Sequence, residues 1–264
     1  MGVARSHCAP TRARLSPRSS LAHRCTIAFA SPHTALLFFS HRPVREGATK
    51  RFVPRDAAKS RDVAEALHRH TREAAHASGL PVLEISGSEQ RGDTFGERFA
   101  NAIADAFAQG YEHIIAVGGD CPRLHEVDWQ TVADRLAAGT PVLGPTGRGG
   151  AYLVGLSRAS FEADAFAALP WQTPALFDAL RHHLSARIGT PAVLRPRADV
   201  NGAADLRHLL RTARPSAPLV ACLRAILGRS LHRVAVRSLA ARVFIRHSRL
   251  RGPPAEGALV GTRR

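Results

Sequence analysis

Short, unbroken apolar runs separated by helix-length segments constrain this chain most. Ala35–Phe39 reads ALLFF and Ile114–Val117 reads IIAV. Four or five apolar residues without alternation suit a strand buried on both faces, as in a parallel sheet covered by helices on both sides. Four more short strand candidates follow: Val82–Ile85, Pro141–Leu143, Ala151–Leu156 and Ala192–Leu194. Between them lie segments with helical periodicity. In 56–78, Val63, Ala66, Leu67 and Ala74 recur on one face, and Gly79 follows as a stop. Thr94–Glu97 is a capping-box pattern that opens a helix carrying Phe99, Ile103 and Phe107, with Gly110 at its end. Further helices fit at about 127–138, 174–187 and 202–212. The alternation predicts an α/β chain: a three-layer α/β/α sandwich around a mainly parallel central sheet. The polar stretch His41–Pro54, with its proline and glycine, reads as a loop.

Charge divides the chain into three parts. The net charge of +16 splits into +5 over residues 1–33, +1 over 34–213 and +10 over 214–264. The excess therefore sits in the tails, and a basic balance that would ordinarily suggest a nucleic-acid binder says little about the near-neutral centre. The expected organisation is a basic disordered arm at 1–33, a single α/β domain at 34–213 and a basic extension at 214–264. In the extension, Leu219, Leu223, Leu227, Leu231, Val234 and Leu239 alternate with arginines, a pattern for one or two amphipathic helices. Packing on the domain is the first expectation for them, an anionic membrane surface the second. Nucleic acid comes third, because Phe244 is the lone aromatic in that stretch. Cys8, Cys25, Cys121 and Cys222 are far apart, which excludes a zinc cluster or a disulfide framework and fits a reducing compartment. No run reaches 18 apolar residues. The expected location is cytoplasmic, with peripheral membrane attachment through the extension.

Three local patterns bear on chemistry. Asp120 follows a strongly apolar strand in Gly118-Gly119-Asp120-Cys121-Pro122. Ligands in open α/β sheets bind outside the carboxyl ends of strands, where a carboxylate holds a hard divalent cation or simply caps a turn. The stretch 41–51 carries Arg42, Arg45, Lys50 and Arg51 around Gly47, which is either a cradle for a pyrophosphate or a solvated basic loop. It is not a P-loop, since GxxxxGK[ST] is absent. Gly147-Arg148-Gly149-Gly150 allows close approach of a ligand or makes a turn. Glu97 closes a helix cap, while Arg98 is a surface residue or a phosphate contact. No HExxH, GxSxG or Cys/His dyad is present.

Six blocks in order, FFSHRPVREGATKRF, GDTFGERFANAIADAF, IIAVGGDCPRL, PVLGPTGRGGAYLVGL, PWQTPALFDAL and DVNGAADL, span nearly all of 38–206. Together they resemble a bacterial GT-A-like glycosyltransferase family, the type that includes the arsenosugar-biosynthesis glycosyltransferases. That family is distantly similar to the molybdenum-cofactor and 2-phospholactate guanylyltransferases. The resemblance implies a nucleotide-diphospho-sugar transferase fold and a divalent cation, Mg²⁺ or Mn²⁺. It places Lys50 and Arg51, with Arg42, at the nucleotide phosphates, and Asp120 as a metal ligand with Asp199 or Asn201 as the second. Gly149 and Gly150 would lie near the sugar or acceptor, and Asp93 is a base candidate by position. Three departures stand out. Arg148 occupies a position where the family usually has an acid, which points to a different acceptor or a lost activity. Lys50-Arg51-Phe52 replaces a Lys-Thr-Arg order, and Gly202-Ala203 replaces Thr-Pro.

The expectation is thus a metal-dependent transferase that passes a sugar from a nucleotide-sugar to a small-molecule acceptor. A nucleotidyltransferase acting on an NTP would use the same groups. A non-catalytic binding or scaffold protein is the alternative that Arg148 favours.

Overall fold

The computed structural model describes residues 33–214 and 217–228. The first strand, β1 (Thr34–Ser40), is buried along its whole length. Its side chains alternate between two cores, Ala35, Leu37 and Phe39 entering one and Leu36 and Phe38 the other. That two-sided burial is why the run reads as uninterrupted apolar sequence.

Five further strands complete one sheet: β2 (Val82–Ser86), β3 (His113–Val117), β4 (Val142–Pro145), β5 (Ala151–Ser157) and β6 (Ala192–Val193). Their order is β2-β1-β3-β5-β4-β6. All neighbours pair in parallel except around β5, which runs antiparallel to both β3 and β4. The short loop from β4 to β5 explains the reversal, because a hairpin-length connection cannot return a strand in parallel. All six strand candidates form.

The helices are α1 (Pro43–Lys50), α2 (Ala57–His76), α3 (Phe95–Ala108), α4 (Trp129–Ala137), α5 (Ala163–Ala167), α6 (Leu176–Arg187) and α7 (Ala203–Thr212). One face of the sheet is covered by apolar residues of α3, α5 and α6, including Ile103, Phe107, Phe166 and Leu180. The other face meets α2 and α4 through Ala74, Ala75, Val132 and Leu136. This is the three-layer α/β/α arrangement. The Thr94 hydroxyl accepts from Glu97 N–H and the Glu97 carboxylate accepts from Thr94 N–H, so the capping box opens α3 as expected.

Two expectations change. The stretch 41–54 is not a loop throughout, because residues 43–50 form α1 with Pro43 in its first turn. Proline is well placed there, where its missing N–H has no helical partner to lose. Gly47 does allow a close approach, but to protein: a Cβ on it would lie 2.8 Å from the Arg61 backbone of α2.

Packing also continues past position 214. Residues 218–228 are helical, and Leu219, Leu223 and Ile226 bury against Val63, Ala66 and Leu67 of α2 and Leu206 of α7. Lys59 Nζ donates to the Leu227 carbonyl at 3.0 Å. The first expectation for this extension therefore accounts for its described part. The arm expected at 1–33, His33 apart, and the remaining stretch from 229 lie outside the described residues. Among the described residues no helix is long and apolar enough to cross a membrane.

Candidate functional site

A cleft of about 410 Å³ opens at the carboxyl ends of β1 and β3. Its walls come from the ends of these strands, from α1 and from the 146–154 and 171–176 segments. This is the crevice that strand-end chemistry uses in open α/β sheets.

Asp120 reaches the cleft because the loop after β3 is pinned from two sides. Thr71 Oγ1 of α2 donates to the Gly119 carbonyl at 2.9 Å. Val200 N–H donates to the Asp120 carbonyl at 2.9 Å. From α1, Lys50 brings its ammonium to 3.1 Å from Asp120 Oδ2 and 2.6 Å from Glu46 Oε1, and it also meets the Val200 carbonyl at 3.4 Å. Three acceptors match the three donors of an ammonium. Burial works to lower the Lys50 pKa, but the Asp120 and Glu46 carboxylates outweigh it and hold the group above its ordinary value.

Asp199 and Asn201 enter from the segment that follows β6. Arg197 N–H donates to the Pro145 carbonyl, which continues the line of β4. The Arg197 guanidinium grips Glu126, Nη1 at 2.7 Å from Oε2 and Nη2 at 2.9 Å from the carbonyl. This clamp leads directly into the irregular segment that presents Asp199. Asn201 Nδ2 donates to Asp199 Oδ2, and Asn201 N–H donates to Asp205 Oδ2 at 2.8 Å.

Arg148 lies outside the cleft lining and faces two acids, with Nη2 at 3.2 Å from Asp199 Oδ1 and Nη1 at 2.8 Å from Asp205 Oδ1. Burial pushes the Asp205 carboxyl up, but the Arg148 hydrogen bond and the Asn201 N–H prevail and hold it low. Two cations thus serve four carboxylates, Glu46, Asp120, Asp199 and Asp205. With every group ionised, two negative charges remain.

Hard oxygen donors and a net negative charge suit Mg²⁺ or Mn²⁺ in kind. The donors are nonetheless engaged by protein cations, and no group of three or more His, Cys, Asp or Glu among the described residues is arranged to hold a metal ion.

Of the expected site residues, Lys50, Asp120, Gly150, Asp199 and Asn201 converge on the cleft. Arg42, Arg51, Arg98, Gly149 and Asp93 do not line it. Arg42 donates to Ser88 Oγ at 3.1 Å. Arg51 is exposed and ends α1 in the left-handed region at φ 44°. Arg98 Nη1 donates to the Asp93 carbonyl at 2.7 Å, so both belong to the α3 cap. Gly149, at φ 79°, packs against Pro174, where a Cβ would stand 1.9 Å from the carbonyl oxygen.

Sequence reading passed over Glu46, His41, Trp171 and Gln172, which all line the cleft. The i,i+4 spacing of Glu46 and Lys50 was an available signal once 43–50 is read as helix. His41 is half-buried, and burial, then Arg45, lowers its pKa, so its imidazole is neutral at pH 7. Phe39, Phe95, Phe99 and Trp171 form an aromatic wall, Phe99 and Trp171 meeting edge-on at 5.1 Å between ring centroids.

Residues 55–173 match a family described as "Uncharacterized protein conserved in bacteria (DUF2064)". No curated protein matches the sequence. Among solved structures, the chain is similar to a Desulfovibrio desulfuricans G20 protein whose name provisionally assigns it as a nucleotide-diphospho-sugar transferase. The TM-score is 0.59 at 20% identity, covering 75% of this chain and 98% of that one. The two chains share one fold. At that identity the likeness carries the architecture, and the chemistry rests on the cleft itself.

Proposed function

We propose that the cleft binds a nucleotide-activated sugar and that the protein transfers the sugar to a small-molecule acceptor. The observation that carries this reading is the meeting of Lys50, Asp120 and Asp199 at the strand ends, three segments brought together in one charged crevice.

Lys50, held charged by its carboxylate neighbours, faces the position where diphosphate oxygens would lie. Its charge would stabilise the negative charge that builds on the leaving nucleoside diphosphate, at no cost of reorganisation. A divalent cation held by Asp120 with Asp199 or Asn201 would add Lewis-acid stabilisation of the same phosphates. His41, neutral at pH 7 and on the cleft wall, is the better placed proton acceptor for an incoming hydroxyl than Asp93. The aromatic wall keeps water from one side of the crevice, which strengthens the electrostatic interactions within it.

Thermal-shift titration with UDP-, GDP- and dTDP-sugars, each with Mn²⁺ or Mg²⁺, tests this reading, because a ligand raises stability by RT ln(1 + [L]/Kd). A rise in Tm with one donor class that is lost in Asp120→Asn supports it. No rise with any donor sinks it. Pyrophosphate release from an NTP and a phosphorylated acceptor would instead identify nucleotidyl transfer. The pairing of Arg148 with Asp199 favours a second reading, a non-catalytic nucleotide-binding protein. Donor binding without hydrolysis or transfer, across acceptors, would mark that outcome.

A further inference from the structure

The segment 170–176 enters the cleft wall as a braced turn. Trp171 Nε1 donates to the Phe166 carbonyl at 2.8 Å, and the indole packs on Phe95 at 5.7 Å between ring centroids. Thr173 Oγ1 donates to the Pro170 carbonyl at 2.8 Å. Phe177 N–H donates to the Gly149 carbonyl at 2.8 Å, which ties the turn to Gly147–Gly150. Gln172 is exposed, lines the cleft and holds φ at 63°, in the left-handed region. Residues other than glycine are seldom kept there, and such strain clusters at ligand sites. The turn thus fixes an aromatic ring and a carboxamide side by side. The ring offers an apolar surface, and the carboxamide offers two donors and an acceptor. A sugar ring presents the matching pair, a face of C–H groups and a rim of hydroxyls.

We propose that Trp171 and Gln172 seat the sugar ring of the donor and so determine which sugar is taken. The inference rests on the reading of the cleft as a nucleotide-sugar site with the diphosphate at Lys50. Phe39 and Ser40 are neighbours on β1 and both line the cleft, Phe39 in the aromatic wall and Ser40 beside the loop that carries Asp120. The aromatic wall therefore runs alongside the charged groups. The sugar is joined directly to the phosphate, whereas the ribose separates the base from it, so the sugar is the part of the ligand that meets this wall.

The chain holds two tryptophans. Trp129 is buried in the core on the other face of the sheet, so Trp129→Phe leaves Trp171 as the single indole fluorophore. Fluorescence titration of the full chain carrying Trp129→Phe, in buffer with Mg²⁺, compares UDP, GDP and dTDP with UDP-glucose, GDP-mannose and dTDP-glucose. Free glucose and mannose are titrated alongside. Gln172→Gly in the same background removes the carboxamide and keeps a backbone that glycine adopts freely. Trp171→Leu is read by calorimetry, and far-UV circular dichroism checks folding. One nucleotide-sugar is expected to shift Trp171 emission and to bind about tenfold more tightly than its nucleoside diphosphate. Both variants are expected to lose that advantage while nucleoside diphosphate affinity stays the same. An equal emission change with the nucleoside diphosphate puts the base on this wall and overturns the proposal. A sugar advantage that is absent from the start, or that Gln172→Gly retains, overturns it as well. If no nucleotide binds, the nucleotide-sugar reading itself falls, and the free sugars decide the seat. A saturable emission change that Gln172→Gly loses supports it, and no change overturns it.

Discussion

Lys50 Nζ stands 3.1 Å from Asp120 Oδ2, although seventy positions separate the two residues. The contact joins the helix after β1 to the loop after β3, and it places a buried ammonium between two acids. Replacing Lys50 with Met leaves Glu46 and Asp120 facing each other without compensation. An uncompensated, partly buried charge costs about 2–3 kcal/mol. Lys50→Met is expected to lower the urea midpoint accordingly and to weaken nucleoside diphosphate binding. An unchanged midpoint contradicts the account of the ion pair.

Gly149 separates a structural from a ligand role. Its φ of 79° and the 1.9 Å that a Cβ would have to the Pro174 carbonyl both exclude a side chain. Gly149→Ala is expected to destabilise by about 2–4 kcal/mol, through backbone strain and overpacking. Gly147→Ala, which meets open space, is the comparison expected to stay within about 1 kcal/mol of wild type. Thermal melts of the two variants decide the point.

Acid should weaken the clamp that positions Asp199. The Arg123 hydrogen bond, joined by that of Arg197, holds the Glu126 carboxyl down at about 2, against an ordinary value of 4.5. A carboxyl with a depressed folded-state pKa contributes stability that is complete above its unfolded pKa and is lost as pH falls through the folded one. The contribution should therefore fade between pH 4.5 and 2. Glu126→Gln is expected to flatten the stability profile in that window, measured by urea unfolding at successive pH values. Parallel profiles for variant and wild type would refute it.

Cys121 follows the catalytic aspartate candidate in sequence but is not a nucleophile. Burial first, then the Asp120 charge, pushes its thiol up to about 12. The thiolate is the reactive form, so the native protein is expected to leave Cys121 unmodified by iodoacetamide at pH 8. Peptide mapping before and after urea treatment should show alkylation of Cys121 after unfolding alone.

Strands β1, β3, β4 and β5 were legible because burial writes itself as a short apolar run, whereas β2, with its exposed Glu84, and the two-residue β6 are only partly buried; all six candidates form. Helix α3 was legible from its capping box and its Phe99, Ile103 and Phe107 stripe. Helix α1 was hidden because it is short, holds Pro43 and Gly47, and buries Glu46 and Gly47 rather than an apolar stripe. Within the site, Asp120 could be chosen from its position after β3. Arg42, Arg51 and Arg98 could not be told from Lys50, since an arginine in a basic stretch looks the same whether its side chain turns inward or caps a helix.

Local sequence determined most of the elements and their order, α1 and α5 excepted, because periodicity and caps act over a few residues. Tertiary structure alone decided which charges meet. Arg148 reaches Asp199 and Asp205 across 51 and 57 positions, and Lys50 reaches Asp120 across 70. Such pairs depend on how helices dock and loops are pinned, and the energy of an ion pair falls with distance in space, which spacing along the chain does not report.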